Sequence, residues 1–197
     1  MGGFAFLTTA LVSLTAFTRI VIVFSFVRRA LTTQEIPPTP VVLGMSLFLT
    51  MFIMGPTIDA VAEKAITPYV DGEVTGVEAI ALATSELKSF MLYQTRKDDI
   101  ALFVELSREE PPYAPEDTKL RVLVPAFMMS ELKTAFIMGF CIYIPFMLID
   151  LVVSTILMSL GMMMMPPMML SLPFKVLLFV LVDGWRLVAQ ALSSSFG

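Results

Sequence analysis

Histidine is absent from this 197-residue chain, and cysteine and tryptophan each occur once. Without histidine, the most common general base and metal ligand of proteins is missing. A single cysteine excludes a disulfide scaffold and, with no histidine, leaves no ordinary ligand set for zinc or haem. That cysteine, Cys141, lies in an apolar run, and we expect it to be a small buried residue rather than a reactive thiol.

Charged residues are also scarce, at 15% of the chain, whereas 57% of the residues are hydrophobic and the mean hydropathy is +0.84. Soluble domains are about 45–50% apolar. The 13 basic residues are outnumbered by 17 acidic ones and do not cluster, so the composition is not that of a nucleic-acid-binding protein. The chain therefore belongs in or against a membrane.

Four apolar blocks approach or exceed the length of about 20 residues that a membrane-spanning helix needs. They are residues 4–27, 40–58, 126–160 and 172–192. As one helix, the third block would be about 52 Å long, against a hydrocarbon core of about 30 Å. It must bend, tilt or protrude, and Pro145 is the expected kink because it has no backbone N–H to donate.

A polar insert, residues 60–124, divides the chain into three parts: 1–59, 60–124 and 125–197. The insert carries 12 acidic and 7 basic residues, a net charge of −5. Its apolar residues have helical spacing in two stretches, which predicts two short amphipathic helices. Asp98 or Asp99 is expected to cap the second helix, and "EEPPYAPED" to end it. The residues that set the spacing are Ile80, Leu87 and Met91 in one helix, and Ile100, Phe103, Val104 and Leu106 in the other.

The basic residues next to the blocks predict an orientation. Arg28 and Arg29 directly follow the first block, so the loop after it is expected on the cytoplasmic side. Alternation then places the insert and both termini outside. The start "MGGFAFLTT" has neither a charged leader region nor an A-x-A cleavage site. We expect either that a signal peptide has been removed or that the chain is naturally short.

Among the charged residues inside the apolar blocks, four stand out: Arg19, Asp150, Lys175 and Asp183. Each would cost about 2.5–3.5 kcal/mol at the centre of a bilayer, hence about 10–14 kcal/mol together. They must be buried against protein or line a water-filled path. Asp183 has Arg186 three residues away, which makes a local ion pair one interpretation. The other three need partners from elsewhere in the fold or from another copy.

Several long segments resemble one known family. They are "LTAFTRIVIVFSFVRRAL" (14–31), "PAFMMSELKTAFIMGF" (125–140) and "PFMLIDLVVSTILMSLGMMMMPPMMLSLPFKVLLFVLVDGW" (145–185), and "LTMFIMGP" and "SFMLYQTRKDDIALF" also fit. Together they resemble the FliP family, the P subunits of the flagellar type III export gate. The related SctR family belongs to virulence injectisomes. "MGP", "FMLYQTR" and the length of the insert favour the flagellar branch.

The resemblance implies a secretion channel rather than an enzyme, with no cofactor. The implied fold is all-α, with membrane-type helical hairpins, long kinked helices and a small helical insert on the exported side. Such subunits form a ring of five copies that joins Q-type and R-type subunits. Unfolded flagellar proteins pass through this gate in the flagellar basal body. The implied location is the bacterial inner membrane, with the insert in the periplasm and with lipid and other export-apparatus membrane proteins as neighbours.

The loop "GMMMMPPMM", residues 161–169, contains six of the sixteen methionines. Gly161 and the Pro166–Pro167 pair are expected to end one helix and to delay the start of the next. From composition alone, an apolar turn whose methionines pack against neighbours is one interpretation. The resemblance implies instead that Met162, Met163 and Met164, with Met165 as a further member, form an apolar gasket that closes the pore. Methionine suits a gasket because its flexible side chain adapts to varied shapes, and a dewetted constriction blocks ions.

The resemblance also assigns roles outside this loop. It implies a buried charge pair between Glu131 and Lys175 and a role in the assembled gate for Asp150. As charges inside apolar blocks, Arg19 and Asp183 are also expected to be buried or to lie at a subunit interface. It implies subunit contacts for Phe90 and Phe103, although the sequence alone favours core positions for both residues.

Two rival functions remain open from the residues. An ion- or proton-coupled transporter would explain charges inside the membrane but predicts similar halves with broken helices, and no internal repeat is evident. A membrane protease would need paired aspartates. Asp150 and Asp183 could be proposed, but their flanking sequences share no catalytic motif.

Overall fold

The computed structural model describes residues 12–31, 37–108, 112–161 and 166–197. In these ranges every regular element is helical, which confirms the predicted all-α class. A π-helical turn at Ala62–Ile66 and a 3-10 turn at Pro115–Asp117 accompany the α-helices. In chain order these are α1 Phe17–Ala30, α2 Thr39–Ile53, α3 Gly55–Val61, α4 Thr67–Val70, α5 Gly76–Gln94, α6 Lys97–Ser107, α7 Leu120–Ser159, α8 Pro167–Leu181 and α9 Gly184–Ser194.

The chain folds into two compact units. Unit 1 combines the segment that ends at Arg19 with Thr50–Thr134, and unit 2 combines Ile20–Leu49 with Ala135–Gly197. The division of the sequence into 1–59, 60–124 and 125–197 follows hydropathy and stays a prediction. Each unit therefore joins segments that are far apart in the sequence.

The insert forms the two helices that its periodicity predicts, α5 and α6. Met91 on α5 packs with Leu123 and Phe127 of α7 in a buried apolar cluster. The prediction that Asp98 or Asp99 caps α6 is wrong, because both lie in its first turn and Arg96 is the N-cap residue. A hydroxyl from another helix does the capping: the backbone N–H of Arg96 donates to Ser130 Oγ, 3.0 Å away.

A capping box starts α5. The Thr75 hydroxyl accepts the backbone N–H of Glu78 at 3.4 Å, and the Glu78 carboxylate accepts the backbone N–H of Thr75 at 2.8 Å. This bond to the Thr75 backbone, with a second one to its hydroxyl, holds the pKa of Glu78 below its ordinary value. The box thus fixes the first turn of α5 immediately after the Asp71–Val74 turn.

Helix α7 is 40 residues long and continues without a break past Pro125 and Pro145. It is long and apolar enough to cross a membrane, and only 11% of its most apolar stretch is buried within the chain. The kink expected at Pro145 stays a prediction. Cys141 lies exposed on this helix, so the expectation of a buried cysteine is wrong for the single chain.

Two apolar blocks predicted as single spans are bent pairs of helices. The α2 helix meets Gly55–Val70 at 59°, and α8 meets α9 at 61°; each pair is long and apolar enough to cross a membrane if it is one span. Gly55 and Pro56 lie at the first break, where proline is tolerated at the start of a helix. At the second, Asp183 takes a left-handed conformation with φ 52°. The block at 4–27 falls partly outside the described residues.

Replacing Thr75 by alanine tests the capping box. The change should weaken the first turn of α5 by about 1 kcal/mol, because it removes the side-chain acceptor of the Glu78 N–H. Hydrogen exchange measured by mass spectrometry should then be about fivefold faster over residues 76–79. Thr84→Ala, in the middle of α5, is the matched control and should leave this turn unchanged. Equal exchange in both variants would contradict the role of the box.

Candidate functional site

Unit 1 buries an ion pair between α1 and α7. Arg19 Nε donates to Glu131 Oε2 at 2.8 Å, and Arg19 Nη2 donates to Glu131 Oε1. The side chains are 2% and 0% exposed. Arg19 Nη2 also donates to Gln94 Oε1 of α5 at 3.3 Å. Two parallel bonds between a guanidinium and a carboxylate form the strongest common type of ion pair, and this pair joins three helices.

A second set of polar contacts is centred on Ser130, the residue before Glu131 on α7. The buried Ser130 hydroxyl donates to Asp99 Oδ2 at 2.5 Å and accepts the backbone N–H of Arg96. The Arg96 guanidinium donates to the Thr134 hydroxyl at 3.1 Å. The short segment between α5 and α6 is thereby attached to α7 by side-chain bonds, which position the start of α6.

Unit 2 contains a different charge pair, between α7 and α8. Lys175 Nζ lies 2.5 Å from Asp150 Oδ2, and the Ser171 hydroxyl donates to Asp150 Oδ1 at 2.6 Å. The lysine side chain is 2% exposed and the aspartate 30% exposed. Ser171 and Lys175 are four residues apart and so share one face of α8. The lysine is therefore enclosed, whereas the carboxylate is accessible from one side.

These contacts confirm that Arg19, Asp150 and Lys175 take partners from elsewhere in the fold. Asp183 behaves differently: it is exposed at the bend between α8 and α9, and in the described part of the chain it forms no ion pair with Arg186. The local Asp183–Arg186 pair is thus not formed in the single chain. Asp183 instead accepts the backbone N–H of Leu187 with its carbonyl at 3.1 Å, at the start of α9.

The pair implied between Glu131 and Lys175 stays a prediction. In the structure Glu131 is bonded to Arg19, and Lys175 to Asp150. Both residues are buried, as expected. An interaction between Glu131 and Lys175 would require each side chain to exchange its partner or to share it.

The two phenylalanines assigned to subunit contacts are only partly buried. Phe90 packs edge to face on Phe127, with ring centroids 6.0 Å apart, and borders the Met91 cluster. Phe103, on α6, is half-buried. One face of Phe90 therefore packs in the core. The role of Phe90 and Phe103 in subunit contacts stays a prediction.

The predicted gate, Met162–Met165, lies outside the described residues, but both of its ends are described. Gly161 follows α7 with φ 77°, a left-handed conformation that glycine adopts at helix ends, and its N–H bonds the Met158 carbonyl at 3.1 Å. Pro166 is the N-cap of α8 and Pro167 its first residue. Gly161 and the proline pair therefore end one helix and start the next, as the sequence predicts.

Sequence reasoning missed several residues that build these sites. Gln94, Ser130 and Ser171 all bond to the charged groups. Ser171 had a usable signal, its four-residue spacing from Lys175, whereas Gln94 and Ser130 act across different helices. Among the residues that the structure describes, no three His, Cys, Asp or Glu side chains are grouped closely enough to hold a metal ion.

The helices and their charge pairs define an all-helical protein of membrane type, in which the Arg19–Glu131 and Asp150–Lys175 pairs lie between helices. The FliP family model matches residues 1–192. The flagellar biosynthetic protein FliP of Bacillus subtilis (strain 168) is 52% identical over 186 residues, which are 94% of this chain and 84% of that protein. Its counterpart in Pectobacterium carotovorum is 50% identical over 97% of this chain and 74% of its own length. That of Aquifex aeolicus is 45% identical over 94% and 79%. The chain belongs to the FliP family.

The Asp150–Lys175 pair predicts unequal effects of its two single substitutions. Asp150→Leu leaves a buried lysine without its carboxylate and should destabilise unit 2 by about 3–5 kcal/mol. Lys175→Met should cost less, because Asp150 remains accessible on one side. In the double variant both charges are gone, and the loss should be smaller than the sum of the two. Thermal unfolding in detergent measures all three.

The exposed pair Lys64–Glu86, with side chains 57% and 22% exposed, provides the control. Lys64→Met should cost no more than about 1 kcal/mol. Additive losses in the Asp150 and Lys175 cycle, or equal losses for the two single variants, would contradict the described geometry.

Proposed function

We propose that this chain is a channel-forming subunit of the flagellar type III protein export gate. In this proposal several copies, five by resemblance, form a ring with Q-type and R-type subunits in the bacterial inner membrane. Unfolded flagellar proteins cross through the ring. Family membership supports the flagellar assignment, since the named relatives are flagellar biosynthetic proteins.

The exposed surface of α7 and α8 is the observation that carries the subunit role. Large apolar side chains remain exposed along both helices, for example Leu151 at 65% and Val180 at 68%. Soluble monomers rarely expose such continuous apolar surface, which indicates contact with lipid or with other protein chains. The buried charges Glu131 and Lys175 of these helices are meanwhile paired inside the chain, and the apolar side chains remain on the outward faces.

A groove between α7 and α8 provides a place for such neighbours. It has a volume of about 600 Å³ and is lined only by apolar residues, among them Val152, Leu157 and Phe174. In the proposed gate, this groove receives an apolar helix of an adjacent subunit.

A transporter remains the second candidate, because two bent helix pairs are present, as broken helices would be in such a protein. The Asp150–Lys175 pair could also serve a coupled ion. The two proposals differ in assembly: a gate subunit is part of a large multi-subunit complex, and a transporter is a monomer or dimer.

Native mass spectrometry of the chain, co-expressed with Q-type and R-type proteins, separates these candidates. We expect one large complex with several copies of this chain. Val180→Glu should disrupt it, because a charge would enter the apolar contact. Val77→Glu changes a similarly exposed residue at the start of α5, 79% against 68%, and should not disrupt it. A monomer or dimer in the presence of both partners would overturn the export-gate proposal.

The methionine gasket is tested by leakage. Replacing Met162, Met163 and Met164 together by alanine should increase small-ion conductance of the assembled complex several-fold, because shorter side chains leave the constriction open and wet. Met168→Ala with Met169→Ala is the matched control: both methionines are exposed on α8, after the predicted gate Met162–Met165. Equal conductance in the two variants would remove the gasket from the proposal.

A further inference from the structure

A small groove between α1 and α7 in unit 2 is lined mainly by apolar side chains and by one arginine. Its apolar wall is formed by Val21, Ile22, Phe26 and Phe136, and Arg29 lies at one end. The volume is about 350 Å³. The five lining residues of α1, from Val21 to Arg29, extend over eight residue steps, or about 12 Å of helix. The groove is therefore a short apolar channel that ends in a positive charge.

The wall of this groove is built by close packing. The rings of Phe26 and Phe136 meet edge to face, with centroids 5.4 Å apart. A Cβ at Gly139 would come within 2.5 Å of the Phe26 ring, so this ring lies directly on the backbone of α7. Ser25, the one hydroxyl in the lining, donates to the Val21 carbonyl of its own helix at 2.7 Å. The Ser25 hydroxyl therefore already has a hydrogen-bond acceptor, and the rest of the wall is apolar.

Two arginines lie next to each other near the end of α1, and of these Arg29 lines the groove. The Arg28 guanidinium donates to the Thr39 hydroxyl at 3.0 Å, while Arg29 lies exposed at the groove. Both follow directly on the first apolar block, residues 4–27. If that block enters the bilayer, its end lies at the depth of the lipid headgroups, where arginine is favoured.

We propose that this groove binds one anionic phospholipid, with its phosphate on Arg29 and one acyl chain along Phe26 and Phe136. Charge complementarity selects the headgroup, since basic pockets between membrane helices bind anionic lipid heads. The volume lies at the lower end of small-molecule pockets. It suits a slender acyl chain rather than a second helix, whose diameter is about 10–12 Å.

Lipid binding by the whole 197-residue chain tests this site. The purified protein is titrated in detergent with dioleoyl phosphatidylglycerol and, separately, with dioleoyl phosphatidylcholine, and bound lipid is counted by native mass spectrometry. We expect phosphatidylglycerol to be retained more tightly. Arg29→Gln should weaken its binding by about fivefold, because one arginine near a headgroup contributes about 1 kcal/mol.

Two further variants distinguish the charge from the groove. Arg186→Gln removes the same charge from an exposed position on α9 and should leave lipid binding unchanged. Val21→Trp should fill the groove and weaken the binding of both lipids. Helicity by circular dichroism checks its folding, and if this variant does not fold, the two arginine variants still decide the outcome.

Three results would overturn the proposal. They are equal retention of the two lipids by the unchanged protein, equal losses in Arg29→Gln and Arg186→Gln, and displacement of phosphatidylglycerol by soluble sn-glycerol phosphate at matched concentration. The last result would show a phosphate site that does not use the apolar wall.

Discussion

A charge inside an apolar helix must have a partner of opposite charge, and this constraint organises both units. Arg19 and Glu131 satisfy it in unit 1, and Asp150 and Lys175 in unit 2. An unpaired buried ion costs several kcal/mol, whereas a pair with good geometry and additional hydrogen bonds recovers much of that cost. Gln94 and Ser171 supply those additional bonds. The pairs therefore define which faces of the helices must point inward.

Once the inward faces are fixed, the outward faces follow. On α8, Ser171, Lys175 and Phe179 are buried at four-residue spacing, and most of the apolar residues between them, such as Phe174 and Leu177, are exposed. This is the reverse of a soluble helix, whose polar face meets water. The polar groups have been used to join helices within the chain, and the apolar side chains remain for lipid or other subunits. A single copy therefore exposes apolar surface that needs lipid or another protein chain as a neighbour.

Much of this architecture could be predicted from the sequence. The helical insert, the helix end at Gly161 and the start of α8 at Pro167 follow from local chemistry and occur as expected. The residues next to a charged side chain do not show which residue of another helix is its partner. Arg19 and Glu131 are 112 residues apart, and the sequence around either one does not indicate the pairing. The prediction that Asp98 or Asp99 caps α6 is wrong for the same reason. The hydroxyl that accepts the backbone N–H of Arg96 belongs to Ser130, on a different helix.

The bend before α9 shows how one backbone position can override a hydropathy pattern. Residues 172–192 have the composition of a straight span, yet Asp183 adopts a left-handed conformation that ordinary residues avoid. The bend brings the Phe179 ring against the backbone of Gly184, the residue after Asp183. A Cβ at Gly184 would lie 2.3 Å from this ring, so the close approach requires glycine. That ring packs edge to face on Trp185, with centroids 5.1 Å apart. Close aromatic packing across the break therefore stabilises the bend, and the strain at Asp183 is offset by contacts that a straight helix could not form.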